Sequence, residues 1–150
     1  MECNLKELTH WEDAANAYNV YKDCMYLPTE EKYRRKIEGL LRDDATKVFA
    51  CFCGDEKKGM VVISLFPQGC AELVGIAVEK SVRGQGIGTF MIRQVMETCF
   101  LRKVIAETDE DAVEFYRKNG FSAEKREETY DGQIVVRYQC KKEAEKPFFL

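Results

Sequence analysis

The sequence predicts an α+β fold, a mixed α/β arrangement in which a mostly antiparallel sheet of six to seven strands is flanked by about four helices. Three observations lead there. Residues 9–41 carry apolar side chains at helical spacing. Residues 47–78 then hold three short runs rich in β-branched and aromatic residues, separated by turn signals. From residue 87 onward, helical and strand patterns alternate and end in a hairpin. The order read from the chain is β-α-α-β-β-β-α-β-α-β-β.

Each element has its own signal. Cys3 to Leu8 reads as a short strand. Thr9-x-x-Glu12 has the form of a capping box, and the helix after it would bury Trp11, Ala14, Ala15, Tyr18 and Tyr21. Pro28-Thr29-Glu30 opens a second helix with Tyr33, Ile37, Leu40 and Leu41 on one face; Gly39 weakens its last turn. Lys47–Cys53 and Met60–Phe66 form a hairpin around residues 54–59. Phe66-Pro67-Gln68-Gly69 is a turn in which proline presets φ, and Ala71–Val78 is the third strand. Ile87 to Cys99 is a helix, and Lys103 to Thr108 a strand. Thr108-x-x-Asp111 caps a helix that ends at Asn119-Gly120, where glycine takes the left-handed conformation. Asp131-Gly132 is a hairpin turn, and Ile134 to Cys140 is the last strand.

The 150 residues suit one domain, residues 1–150, with enough chain for a full core. With 23 Lys and Arg against 26 Asp and Glu, the net charge is −3, which excludes a strongly basic nucleic-acid binder. No apolar run reaches membrane-spanning length, and the N-terminal residues lack the pattern of a secretory signal. The expected location is cytoplasmic. The seven cysteines are an odd number, and only Cys51 and Cys53 lie close together. They read as free thiols in a reducing compartment, with no metal site.

The chemistry concentrates in Val82-Arg83-Gly84-Gln85-Gly86-Ile87-Gly88-Thr89, a strand-to-helix junction. Three glycines let backbone approach a ligand, and a helix N-terminus supplies unpaired N–H groups and a positive dipole end. Together they suit a phosphate or pyrophosphate. The pattern lacks the Lys-Ser/Thr pair of a Walker loop. It also lacks the spacing and the opening βαβ unit of a dinucleotide fingerprint.

Arg83-x-x-Gly86-x-Gly88 resembles the acetyl-CoA pyrophosphate loop of the GNAT superfamily of N-acetyltransferases. Ala71–Val78 is similar to that family's fourth strand. Asp109-x-x-Ala112-x-x-Phe115-Tyr116-Arg117-Lys118-Asn119-Gly120-Phe121 resembles its second cofactor motif. The resemblance implies a GNAT-like fold in which the strands at 71–78 and 103–108 splay around acetyl-CoA as cosubstrate. It places the pyrophosphate on the backbone of Arg83, Gly84, Gln85, Gly86, Gly88 and Thr89. The pantetheine arm would lie along Ile76, Ala77 and Val78, with the Ile76 N–H polarising the thioester carbonyl. Asp109 stands where the family commonly has Asn. Ionised Asp only accepts hydrogen bonds, so it is either a cofactor contact or a helix cap.

The implied reaction moves an acetyl group to a primary amine of a small molecule or peptide. Glu72 is the candidate general base: strand alternation puts it on one face with Val74 and Ile76, and Ala-Glu-Leu-Val resembles the histone-acetyltransferase branch. Its alternative is a strand-end carboxylate in solvent. Tyr116 is the candidate general acid, with a packed core aromatic as its alternative. Two other functions remain open: a catalytically silent acyl-CoA-binding regulatory module, and a protein-interaction domain. The acceptor would meet the first two helices and the last strands, which carry Tyr18, Tyr21, Tyr26, Tyr33, Tyr130 and Arg137. A monomer or homodimer without nucleic-acid or membrane partners completes the expectation.

Overall fold

In the computed structural model, residues 2–145 are described. Seven strands form one sheet: β1 (Cys3–Leu8), β2 (Thr46–Cys53), β3 (Glu56–Phe66), β4 (Cys70–Val78), β5 (Lys103–Thr108), β6 (Ser122–Tyr130) and β7 (Gln133–Glu143), in the spatial order β1-β2-β3-β4-β5-β7-β6. The β4–β5 pair is parallel, and its neighbours are antiparallel. The helices are α1 (Trp11–Ala14), α2 (Tyr18–Tyr21), α3 (Glu30–Arg42), α4 (Ile87–Thr98) and α5 (Val113–Lys118).

The helices divide between the two faces. On one face, α1, α2 and α3 cover the first four strands. Tyr21, Tyr33 and Ile37 pack there against Val48, Ala50, Met60 and Val62. The buried Tyr33 hydroxyl donates to the Ala14 carbonyl at 2.7 Å, which ties α3 to α1. On the other face, Ile87, Met91 and Val95 of α4 and Tyr116 of α5 join Val61, Ile63, Leu73 and Val104. α3 begins as its sequence predicts: the Thr29 side chain accepts from the Lys32 N–H, a cap worth about 1 kcal/mol.

The first helix differs from expectation. It is two short helices and a 3₁₀ turn at Lys22–Cys24, and no side chain caps α1; the Thr9 hydroxyl instead meets the His10 ring. Ala14, Ala17, Val20 and Tyr21 are buried, while Ala15 is exposed. The break lets a short segment follow the sheet surface. The first hairpin loop is also tighter than expected. β3 starts at Glu56, and Gly59 lies within it, where a Cβ would come 2.8 Å from the Met91 sulfur.

The expectation of free thiols throughout is corrected at the sheet edge. Cys3 and Cys53 face each other across β1 and β2 and form a disulfide. Strand register, invisible in the sequence, joins residues 50 positions apart.

A bulge in β4 determines the rest. Val62 pairs with Gly75 and Ile63 with Leu73, so Val74 is the extra residue. A bulge bends its strand and reverses the alternation beyond it. The parallel ladder with β5 therefore covers only Cys70–Glu72 against Lys103–Ile105. Beyond Glu72 the two strands part and leave a V-shaped gap.

Candidate active site

The gap is the mouth of a cleft of about 830 Å³, within the size range of small-molecule sites. β4 forms one wall. The Ile76 carbonyl accepts from the Cys24 thiol, and the Val78 carbonyl accepts from Arg83 Nε, each at 2.9 Å. Both carbonyls therefore point into the gap rather than to β3. In an extended strand the N–H of a residue points the same way as its C=O, so the Ile76 and Val78 amides face the gap as well. No strand pairs with this edge, and its amides are open to an extended ligand even though side chains hold two of its carbonyls.

The glycine loop forms the end of the cleft. Gly84 and Gly86 have φ of 81° and 85°, the left-handed region, and a Cβ at either would meet nothing within 4 Å. Gly86 is the N-cap of α4, and the first helical bond runs from the Phe90 N–H to the Gly86 carbonyl at 2.9 Å. The amides of Ile87, Gly88 and Thr89 stand outside the helical ladder at the positive end of the helix. Gly88 has a different task from the other two. A Cβ there would sit 2.8 Å from the Phe115 ring, so glycine lets α4 and α5 approach. The Arg83 side chain is also engaged: besides holding Val78 it pairs with Asp23.

α5 forms the opposite wall. The Asp109 carboxylate accepts from the Ala112 N–H at 3.0 Å, the capping role foreseen as its alternative, and Asp109 also lines the cleft. Thr108 is a buried strand residue rather than the cap. Asn119 ends the helix, and Gly120 follows at φ 87°, as its sequence predicts. Tyr116 is 7% exposed and stacks edge-on between Phe115 and Phe121. Its hydroxyl has no hydrogen-bond partner among the described residues. Burial first, then nearby Cys140, Cys24 and Asp109, push its pKa up to about 12. At neutral pH it is a neutral donor at the cleft wall.

Of the residues singled out by sequence, Ile76, Ala77, Val78, Arg83, Gly84, Gly86, Gly88, Thr89, Asp109 and Tyr116 all line this cleft. Gln85 is exposed and does not line it. Glu72 also lies elsewhere. The bulge puts Glu72 and Ile76 on opposite faces, because Ala71, Leu73, Ile76 and Val78 all pack toward α4. Glu72 lines a second groove, over β4, β5, β7 and β6, on the part of that face that α1–α3 do not reach.

The cleft passes through the sheet. On its far side it is bounded by Asp23, Cys24, Glu107 and Arg137, and Glu107 lines the second groove as well. Glu107 accepts from Arg137 Nε at 3.1 Å. Arg137 was named by sequence as an acceptor-side residue. Asp23, Cys24 and Glu107 were not: no motif marks them, although Glu107 sits on the open side of β5 by simple alternation. Cys24 is exposed as a residue, but its thiol is turned in to the Ile76 carbonyl and desolvated there, which pushes its pKa up and keeps it neutral at pH 7. Tyr21 and Tyr33 are core residues, whereas Tyr26 and Tyr130 are exposed.

Comparison with known proteins accords with this geometry. A comparison with curated proteins finds no match. Solved structures share the fold. A GNAT-family acetyltransferase from Desulfovibrio desulfuricans matches with a TM-score of 0.77 at 17% identity, over 95% of this chain and 99% of its own. A chimeric spermidine N-acetyltransferase from Vibrio cholerae matches at 0.73 and 16% identity, over 95% and 96%. A GNAT family acetyltransferase from Elizabethkingia anophelis with acetyl-CoA bound matches at 0.68 and 17%, over 95% and 98%. The sequence itself matches the acetyltransferase (GNAT) family over residues 11–121. The chain therefore belongs to the GNAT family and is an acyltransferase.

Proposed function

We propose that the protein moves an acetyl group from acetyl-CoA to a primary amine by direct attack within the β4–β5 cleft. The observation that carries this reading is the conjunction of a strand edge that no other strand pairs with and a glycine-capped helix N-terminus at one end of it. A long ligand with an amide-bearing arm and an anionic pyrophosphate needs both. The backbone amides at 83, 84, 86, 88 and 89 hold the anion, and Ile76 and Val78 hold the arm. Acetyl-CoA supplies an activated acyl thioester; the chain's own groups orient it and move protons.

Tyr116 donates its phenolic proton toward the leaving sulfur, and burial keeps that proton in place at neutral pH. The Ile76 N–H, fixed by the strand, points at developing negative charge on the acyl oxygen. An alkylammonium with a pKa near ~10 must lose a proton before it attacks. That proton leaves on the far side of the sheet, where Glu107 reaches both the cleft and the groove containing Glu72. Glu107 takes the first position in this relay, and Glu72 acts through water.

The acceptor enters from the side bounded by Asp23, Cys24 and Arg137. The solved spermidine N-acetyltransferase is of the same fold, which makes polyamines the first acceptors to try, followed by peptide N-termini. We place the activity in a single domain spanning the chain and in the cytoplasm. No helix among the described residues is long and apolar enough to cross a membrane. The test is free-thiol release from acetyl-CoA over a panel of polyamines, amino acids, aminoglycosides and peptides. At least one amine should raise release above the hydrolytic background. A protein that binds CoA and shows no amine-dependent release is the silent binding module instead.

A further inference from the structure

Away from the cleft, at the β1–β2 edge, three cysteine sulfurs meet. Antiparallel register sets Cys3 opposite Cys53, with Cα atoms 4.3 Å apart, and Leu5 opposite Cys51. Alternation puts Cys3, Cys51 and Cys53 on one face, the face toward α4. All three Sγ atoms lie within 4.8 Å of one another. Cys51 is fully buried, and Cys3 and Cys53 are half-buried at the rim. The chain's other cysteines lie outside this group.

We infer that Cys3, Cys51 and Cys53, once the Cys3–Cys53 disulfide is reduced, form a three-thiolate site for one thiophilic d¹⁰ cation, and that Cu(I) fits it best. Three sulfurs at about 2.3 Å from a metal stand about 4 Å apart, so the Cys3 and Cys53 sulfurs must part once their bond is reduced, while Cys51 already lies within 4.8 Å of both. Two adjacent strands already fix the backbone beneath it. Thiolates are soft ligands that select Cu(I), Zn(II) and iron–sulfur clusters. Three of them complete a trigonal Cu(I) shell, whereas tetrahedral Zn(II) asks for a fourth ligand. No His, Asp or Glu joins the group among the described residues. The half-exposed sulfurs leave the anionic complex in contact with water, which limits its desolvation cost.

The chemistry balances simply. A dithiol or phosphine reductant gives two electrons to the disulfide, and two protons complete the thiols. Binding then forms three metal–sulfur bonds and releases three protons, with no change in the oxidation state of the metal. The disulfide is thus the form in which the site is closed.

The test uses the full chain, reduced with a phosphine and kept free of oxygen. Cu(I) is titrated in competition with a chromophoric chelator. The parent should withhold one Cu(I) per chain. Cys3→Ser, Cys51→Ser and Cys53→Ser should each lose affinity by about a hundredfold or more, since changing even an outer-shell partner costs 10–100-fold. Cys24→Ser and Cys70→Ser should bind like the parent. Melting temperatures of every variant establish that it is folded. The inference is overturned if the reduced parent yields all Cu(I) to the chelator. It is overturned equally if Cys51→Ser holds Cu(I) as tightly as the parent, or if the site retains Zn(II) in preference to Cu(I).

Discussion

Replacing Tyr116 by Phe removes one oxygen from the cleft wall and nothing else. The ring keeps its edge-on contacts with Phe115 and Phe121. The hydroxyl makes no hydrogen bond to the described residues, so no buried partner is orphaned. The change in stability should stay within about 1 kcal/mol. Loss of a positioned general acid costs roughly 10²–10⁴ in rate, and a hundredfold loss corresponds to about 2.7 kcal/mol of transition-state stabilisation. The KM for acetyl-CoA should change little, because the proton is needed only as the sulfur departs. The pH dependence adds a second check. With its pKa pushed up to about 12, Tyr116 is protonated at all ordinary assay pH values, and its loss of activity would begin only as pH approaches that value. Tyr116→Phe should therefore lower the rate by a constant factor between pH 6 and about 9. The assay is amine-dependent thiol release with saturating acetyl-CoA, read beside thermal unfolding. Equal turnover in a folded variant, or a defect confined to one end of the pH range, would refute the acid role.

Three further outcomes follow from the same geometry. Gly86→Ala forces a Cβ into φ 85°, which costs about 1–2 kcal/mol. Both the melting temperature and CoA affinity should fall, by calorimetry, while pantetheine thioesters without a pyrophosphate lose less. Glu107→Gln should slow amine transfer about tenfold or more, and Glu72→Gln distinctly less; the reverse order would restore Glu72 as the nearer base. Burial holds the Cys24 proton above its ordinary thiol range, so alkylation there should be slow at pH 7, quicken toward high pH, and be blocked by acetyl-CoA, as peptide mass spectrometry can follow.

Much of this architecture is legible in the residues because its signals are local. Thr29 marks the start of α3, Gly120 the end of α5, Asp131-Gly132 the last hairpin and the three close glycines the cofactor loop. The features that escaped are non-local. Gly75, beside the extra residue Val74, is the one local hint of a bulge, but a lone glycine does not say which residue is extra, and that one residue moves Glu72 to the other face from Ile76. The spacing in 11–21 suits one continuous helix, and only the packed sheet shows that two short ones serve better. Gly88 looks like its two neighbouring glycines in sequence, but the ring of Phe115, 27 positions later, is what requires it. The cysteine pair depends wholly on the register of β1 against β2.

In the proposed complex, acetyl-CoA lies between β4 and β5 with its pyrophosphate on the α4 N-terminus. Amide chemical-shift mapping of ¹⁵N-labelled protein titrated with CoA tests it directly. The largest shifts should fall at Ile76, Val78, Gly84, Gly86 and Gly88, with smaller ones near Ala112 and Phe115. The amides of β1 should stay in place. Shifts confined to the groove of Glu72 and Lys141, or no shifts at saturating CoA, would contradict it.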